Sequence, residues 1–178
     1  MIAVLAFFAI ISSSFSQVSG NVESQNLISD GKVTPQINVY VQESFVPKLA
    51  WTSFTVVSKG WSESLVGISY SPIKEISFSV SAGLETNNQP FRYSWSVWAG
   101  KYNISIFSVH EKGGSGYWFK NTAMYTFSSY LSAGVHWQRF KGAGPRIEAT
   151  LFNKVRFWGT YLVGEEKKFG FVGVKLLF

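Results

Sequence analysis

The chain has 178 residues, enough for one domain of ordinary size and short of two generous ones. It contains no cysteine, which excludes a disulfide framework, a thiolate metal site and a cysteine nucleophile together. Charged residues are 15% of the chain against 17% aromatics, where a soluble protein typically carries about 25% charged residues, and after residue 20 there is no run of 18 apolar residues. A bundle of membrane helices is thereby excluded, and strands with one apolar and one wet face remain.

The N-terminal stretch Met1 to Ser16 is apolar up to Ile11 and then rich in small residues, as in the apolar region and cleavage site of a secretory signal peptide. Cleavage after Ser16 is predicted, with Ser14 and Ser16 in the small-residue positions, although no Lys or Arg precedes the apolar run. Residues 1–16 are thus assigned to a signal peptide and 17–178 to a single domain.

From about residue 36 onward, apolar and polar residues alternate with period two, which turns successive side chains to opposite faces of a strand. In Ile76 to Glu85 one face is Ile76, Phe78, Val80, Ala82, Leu84 and the other Ser77, Ser79, Ser81, Gly83, Glu85. Phe91 to Gly100, Leu131 to Gln138 and Arg146 to Leu151 repeat the scheme. Residues 49–58 and 103–111 fit either register, and Glu43 and Asn121 fall on otherwise apolar faces.

Two interleaved series of turn signals separate these runs. The tight series is Val46–Lys48, Pro72–Lys74, Lys101–Asn103, Ser128–Tyr130 and Asn153–Lys154, with midpoints 26, 29, 27 and 24 residues apart. The looser series, rich in Gly, Asn and charge, is Lys59–Trp61, Thr86–Pro90, Lys112–Gly116, Lys141–Pro145 and Gly164–Lys168, with midpoints 28, 26, 28 and 24 apart. A two-strand unit therefore repeats to the C terminus, and strands of roughly ten residues are long enough to cross a bilayer at a tilt. Eleven strands are clear between 36 and 178. A weaker one near 22–29, followed by a loop opening at Ser29–Lys32, makes twelve; ten is the alternative, since bacterial single-chain barrels have even counts.

The last segment, Phe169 to Phe178, ends on an aromatic residue that shares its face with Leu176, Val174 and Val172. This resembles the C-terminal strand of bacterial outer-membrane β-barrel proteins, in which a terminal Phe and alternating apolar positions form the assembly signal. The resemblance implies an all-β, antiparallel up-and-down transmembrane barrel in the bacterial outer membrane, in contact with its lipid and inserted by the barrel-assembly machinery. A soluble barrel would need a charged exterior that this composition does not supply. Aromatics cluster in two bands as in interfacial girdles: Trp51, Tyr102, Tyr130, Phe152, Phe157 and Phe178 near the tight turns, and Trp61, Phe91, Tyr93, Tyr117, Phe119, Trp137 and Phe169 near the loose loops.

On the inferred inner face lie Arg92, Lys120, Arg146, Arg156 and Lys175 against Glu63, Glu85 and Glu148, a modest positive excess among many Ser, Thr and Gly. At about twelve strands, small lining residues leave room for an open lumen; packing around Trp98, Trp118 and Trp158 would close it. The two histidines, His110 and His136, make no zinc site without cysteine, and His136-Trp137-Gln138 lacks the His-x-Ser pattern of barrel-embedded lipid hydrolases. His110-Glu111 reads as a solvated pair beside a loop. Gly113 to Gly116 lacks the Lys and helix of a phosphate loop. No catalytic residue, metal or cofactor is assigned, and the scattered basic residues require no nucleic acid. The expectation is a narrow passive pore for small hydrophilic or anionic solutes; a closed barrel with a structural or surface-interaction role is the second reading and a lipid-modifying enzyme the third.

Overall fold

The computed structural model describes residues 18–178, so the signal peptide assigned to 1–16 lies outside the described residues. Twelve strands form one antiparallel sheet closed on itself. In chain order they are β1 (Val18–Ser29), β2 (Lys32–Val46), β3 (Leu49–Ser58), β4 (Trp61–Ile73), β5 (Ile76–Glu85) and β6 (Phe91–Lys101). They continue with β7 (Ile104–Gly113), β8 (Gly116–Ser128), β9 (Leu131–Gln138), β10 (Gly142–Leu151), β11 (Val155–Val163) and β12 (Lys168–Leu177). Each strand pairs with its sequence neighbours, and β1 closes against β12 from Asn21↔Leu177 to Ile28↔Gly170. Closure removes the unpaired edges that an open sheet would leave, a requirement for strands in lipid.

The even strand count is the one that extending the hairpin period backwards predicts. Two boundaries differ from the sequence reading. The first strand begins at Val18 rather than near 22, and its hairpin is a two-residue turn at Asp30 and Gly31, both at positive φ (51° and 71°). Positive φ at both central positions matches the right-handed twist of the flanking strands, which is why Asp-Gly suits it. The segment Gly142 to Pro145 belongs to β10; the turn before it is Arg139 to Lys141. Glycines at 142 and 144 look like a loop in sequence, yet a Cβ at Gly144 would sit 1.8 Å from the Tyr161 carbonyl oxygen, so the glycine permits close pairing within the wall. Both turn series are consequently short, two to five residues each.

The alternation resolves into an apolar exterior and a polar interior. Val66, Val80, Leu84, Ile106, Val135, Val172, Val174 and Leu176 project outward, and Tyr102 and Phe152 at tight turns are 93% and 87% exposed. Trp61 and Phe169, expected in the girdle near the loops, face inward instead. Trp61 lines the lumen, and Phe169 packs with Trp158, Leu162 and Phe171. The two polar residues on apolar faces are bonded there. Glu43 accepts from Trp51 Nε1 at 2.7 Å, and Asn121 Oδ1 accepts from Ser108 Oγ at 2.6 Å. Each bond lowers the cost of a polar group on the outer wall.

The C-terminal residue takes part in closure. Phe178 and Gly20 exchange backbone hydrogen bonds of 2.9 and 3.1 Å, and a Cβ on Gly20 would come within 2.9 Å of the Phe178 ring. Phe178 thus extends the β1–β12 seam by one pair.

Candidate functional site

The barrel encloses a cavity of about 1080 Å³. Its lining runs from Gln42, Ser71, Lys74 and Ser132 at the tight-turn end to Thr34, Ser58, Ser115 and Arg139 at the loop end, so it follows the full length of the strands. Eight-stranded barrels have just enough interior for their side chains, and the additional circumference of twelve leaves this space. Serine contributes much of one wall: Ser77, Ser79 and Ser81 on β5 and Ser94 and Ser96 on β6 all face the cavity.

All eight charged residues expected on the inner face are there, together with two carboxylates that the sequence reading did not place. Glu23 and Glu111 also point inward and are buried. Among the described residues, the strand-lined interior thus holds five cations, Arg92, Lys120, Arg146, Arg156 and Lys175, and five carboxylates, Glu23, Glu63, Glu85, Glu111 and Glu148. The expected positive excess within the wall is therefore cancelled. Glu111 was misplaced because β7 fits either register in sequence: its inner face is Ser105, Phe107, Val109 and Glu111, and His110 faces outward. There His110 stacks on Trp95 at 3.9 Å and bonds Tyr117, rather than lying free in solvent.

The charges are unevenly distributed. Near the loop end of β4–β7, Arg92 is enclosed by three carboxylates and is 2% exposed. Its Nη1 donates to Glu85 Oε2 at 3.1 Å, and its Nε and Nη2 donate to Glu111 Oε2 at 3.1 and 2.8 Å. Arg92 Nε also lies 2.7 Å from Glu63 Oε2, but that oxygen accepts no hydrogen bond, so this contact is Coulombic only. Ser115, in the β7–β8 turn, donates its N–H to Glu85 Oε1 at 2.7 Å and its hydroxyl to Oε2. The knot therefore ties four strands and one loop-side turn together.

The opposite wall, β8 to β12 with β1, carries the other four cations. Arg146 Nε donates to Glu148 Oε1 at 2.7 Å and Arg156 Nη1 lies 3.2 Å from Glu148 Oε2, so two guanidinium groups share one carboxylate. Arg146 also stacks over the Trp158 ring at 3.9 Å. The ring lies flat on the wall because position 173 is glycine: a Cβ there would come within 2.6 Å of the indole. Lys175 Nζ is 3.6 Å from Glu23, which also accepts from Asn38 Nδ2 at 3.2 Å. Lys120 is different: among the described residues its ammonium has no carboxylate within ion-pair distance, and it lies 5.9 Å from the centre of the Trp118 ring.

The candidate assembly residues Val172, Val174, Leu176 and Phe178 all lie on the outer surface of β12 and its end, facing where lipid would be. Among the described residues there is no group of three potential metal ligands.

A closed twelve-stranded antiparallel barrel with an apolar outer band, short turns at both ends and a charged, hydroxyl-rich lumen has the architecture of a small porin. Known structures show the same fold. The chain is similar to the KdgM porin, with a TM-score of 0.64 and 14% identity over 89% of this chain and 99% of that one. It is similar to the NanC porin, with a TM-score of 0.56 and 8% identity over 87% of this chain and 98% of that one. It is also similar to the Acinetobacter baumannii outer membrane protein Omp33, with a TM-score of 0.58 and 9% identity over 90% of this chain and 98% of that one. The KdgM porin has also been solved in complex with disordered oligogalacturonate. No protein-family model and no curated protein matches the chain. The similarity to the porins is one of fold.

Proposed function

We propose that the protein is a narrow passive pore of the bacterial outer membrane that passes small hydrophilic solutes, anionic ones preferentially. The observation that carries this reading is the cavity running the length of the strands with a polar lining. A plugged barrel would fill that volume with side chains; here Trp98 and Trp158 lie against Gly100 and Gly173, along the wall rather than across the bore. Preference for anions follows from the basic wall of Lys120, Arg146, Arg156 and Lys175 and from Lys74, Arg139 and Lys141 at the two ends of the cavity. The carboxylates of the loop-end knot oppose it less, because Arg92 and Ser115 engage them. The acidic saccharide bound by the KdgM porin is consistent with such a preference.

In this reading the mature chain is exported by its signal peptide, the assembly machinery recognises the Phe178, Leu176, Val174 and Val172 face, and the longer loops face outward. The test is uptake into liposomes containing the purified protein. Small neutral sugars should enter, and sugar acids of equal size should enter faster. Liposomes no more permeable than protein-free controls would contradict the pore and favour the closed structural barrel.

A further inference from the structure

We propose that Lys120 is the principal anion-selecting residue of the lumen, an inference that rests on the pore reading above. Four of the five interior cations are held by carboxylates. Arg92 is bound among Glu63, Glu85 and Glu111, Lys175 pairs with Glu23, and Arg146 and Arg156 share Glu148. The Arg146–Arg156–Glu148 group keeps one net positive charge, but spreads it over two side chains toward the tight-turn end, where Arg156 is 35% exposed. The cations at the mouths are engaged by their surroundings: Arg139 sits 5.0 Å over Tyr117, Lys141 4.6 Å over Phe169, and Lys74 3.7 Å from Glu75. Bulk salt screens such mouth charges over about 8 Å at physiological ionic strength.

Among the described residues, Lys120 alone presents a charge inside the bore that no carboxylate shares at ion-pair distance. It is the fifth residue of β8 from the loop end, between the acidic knot above and the Glu148 group below, and it lines the cavity directly. Glu23 and Glu111 act on it only at longer range, against Arg146 and Lys175 of like sign. An anion that passes the knot therefore meets its first uncompensated cation at Lys120. A unit charge about 5 Å from a passing ion in an aqueous dielectric raises the local population of one sign about fourfold and lowers the other by the same factor. Removing it should change the anion-to-cation permeability ratio on the order of tenfold.

Reversal potentials in a KCl gradient across a planar bilayer test this. Wild type should favour chloride, Lys120→Gln should favour potassium, Lys120→Arg should behave as wild type, and Arg156→Gln should shift the ratio less than Lys120→Gln. A second variant leaves Lys120 in place: Val109 is its cross-strand partner and lines the same cavity, so Val109→Glu should quench the ammonium and move the ratio in the same direction. Unmoved reversal potentials in both Lys120→Gln and Val109→Glu, or a shift in Lys120→Gln no larger than in Arg156→Gln, would overturn the assignment to Lys120 while leaving the pore intact. Absence of conductance in folded wild type would overturn the pore reading and this assignment with it.

Discussion

The two halves of the lumen use the same side chains to opposite ends. On β4–β7 three carboxylates converge on one arginine, nearly inaccessible and cross-linked to a turn. On β8–β12 and β1 four cations are strung along the wall with two carboxylates between them. The first arrangement has two more carboxylates than cations but commits them to contacts that hold strands together, since buried ion pairs cost desolvation and repay it only through close, multiple contacts. The second leaves charge over, and that surplus can act on a solute.

The difference is broken most severely by Arg92→Met. Three carboxylates would be left in the wall without a cation, and removing one partner of a buried pair costs about 3–5 kcal/mol. A large fall in the urea midpoint of the reconstituted barrel should follow; an unchanged midpoint would show that the knot is not structural. Deleting Phe178 should have the next largest effect, because it removes a backbone pair at the seam and the ring that packs on Gly20. The expected outcome is a reduced fraction of protein migrating as a folded, faster band without boiling, and a wild-type fraction would remove Phe178 from any role in assembly.

Gly173→Val sharpens the comparison on the basic wall. The new side chain would displace the Trp158 indole, and with it the Arg146 stacked on that ring, toward the bore; overpacking of this kind costs about 1–3 kcal/mol. Single-channel conductance should fall with only a modest loss of stability. Unchanged conductance would mean that the indole does not border the passage. The smallest effect belongs to Asp30→Asn at the exposed Asp30–Lys167 contact, 2.7 Å long, which bridges the β1–β2 turn and the β11–β12 loop. The Lys167 hydrogen bond holds the Asp30 carboxyl below its ordinary value, so its contribution is complete above about pH 4 and disappears as pH falls through the lowered value. Wild type and Asp30→Asn should be nearly indistinguishable in thermal stability at neutral pH, as expected of a solvent-exposed pair.

Most of the architecture was legible because a barrel wall constrains every second residue. Ile76 to Glu85 can satisfy lipid on one side and water on the other in only one register, and the turn period follows from strands of similar length. Legibility failed where that contrast fades. In β7, Ser105, Ser108 and His110 make both faces partly polar, so Glu111 could not be oriented, and the arginine knot stayed hidden with it. In β1, Ser24 and Asn26 on the outer face obscure the alternation that would have marked Glu23 as internal. Pairing across strands also lies beyond a linear reading. That Arg146 and Arg156 share a carboxylate, and that Lys120 has none within ion-pair distance among the described residues, depends on the three-dimensional register of β8 to β12.

The central claim is a continuous aqueous passage through the barrel, and single-channel recording of the folded wild-type protein in a planar bilayer tests it most directly. The account predicts discrete conductance steps that scale with the bulk KCl concentration. A protein that runs as a folded barrel on an unboiled gel and inserts into the bilayer, yet produces no steps at any salt concentration, would contradict it.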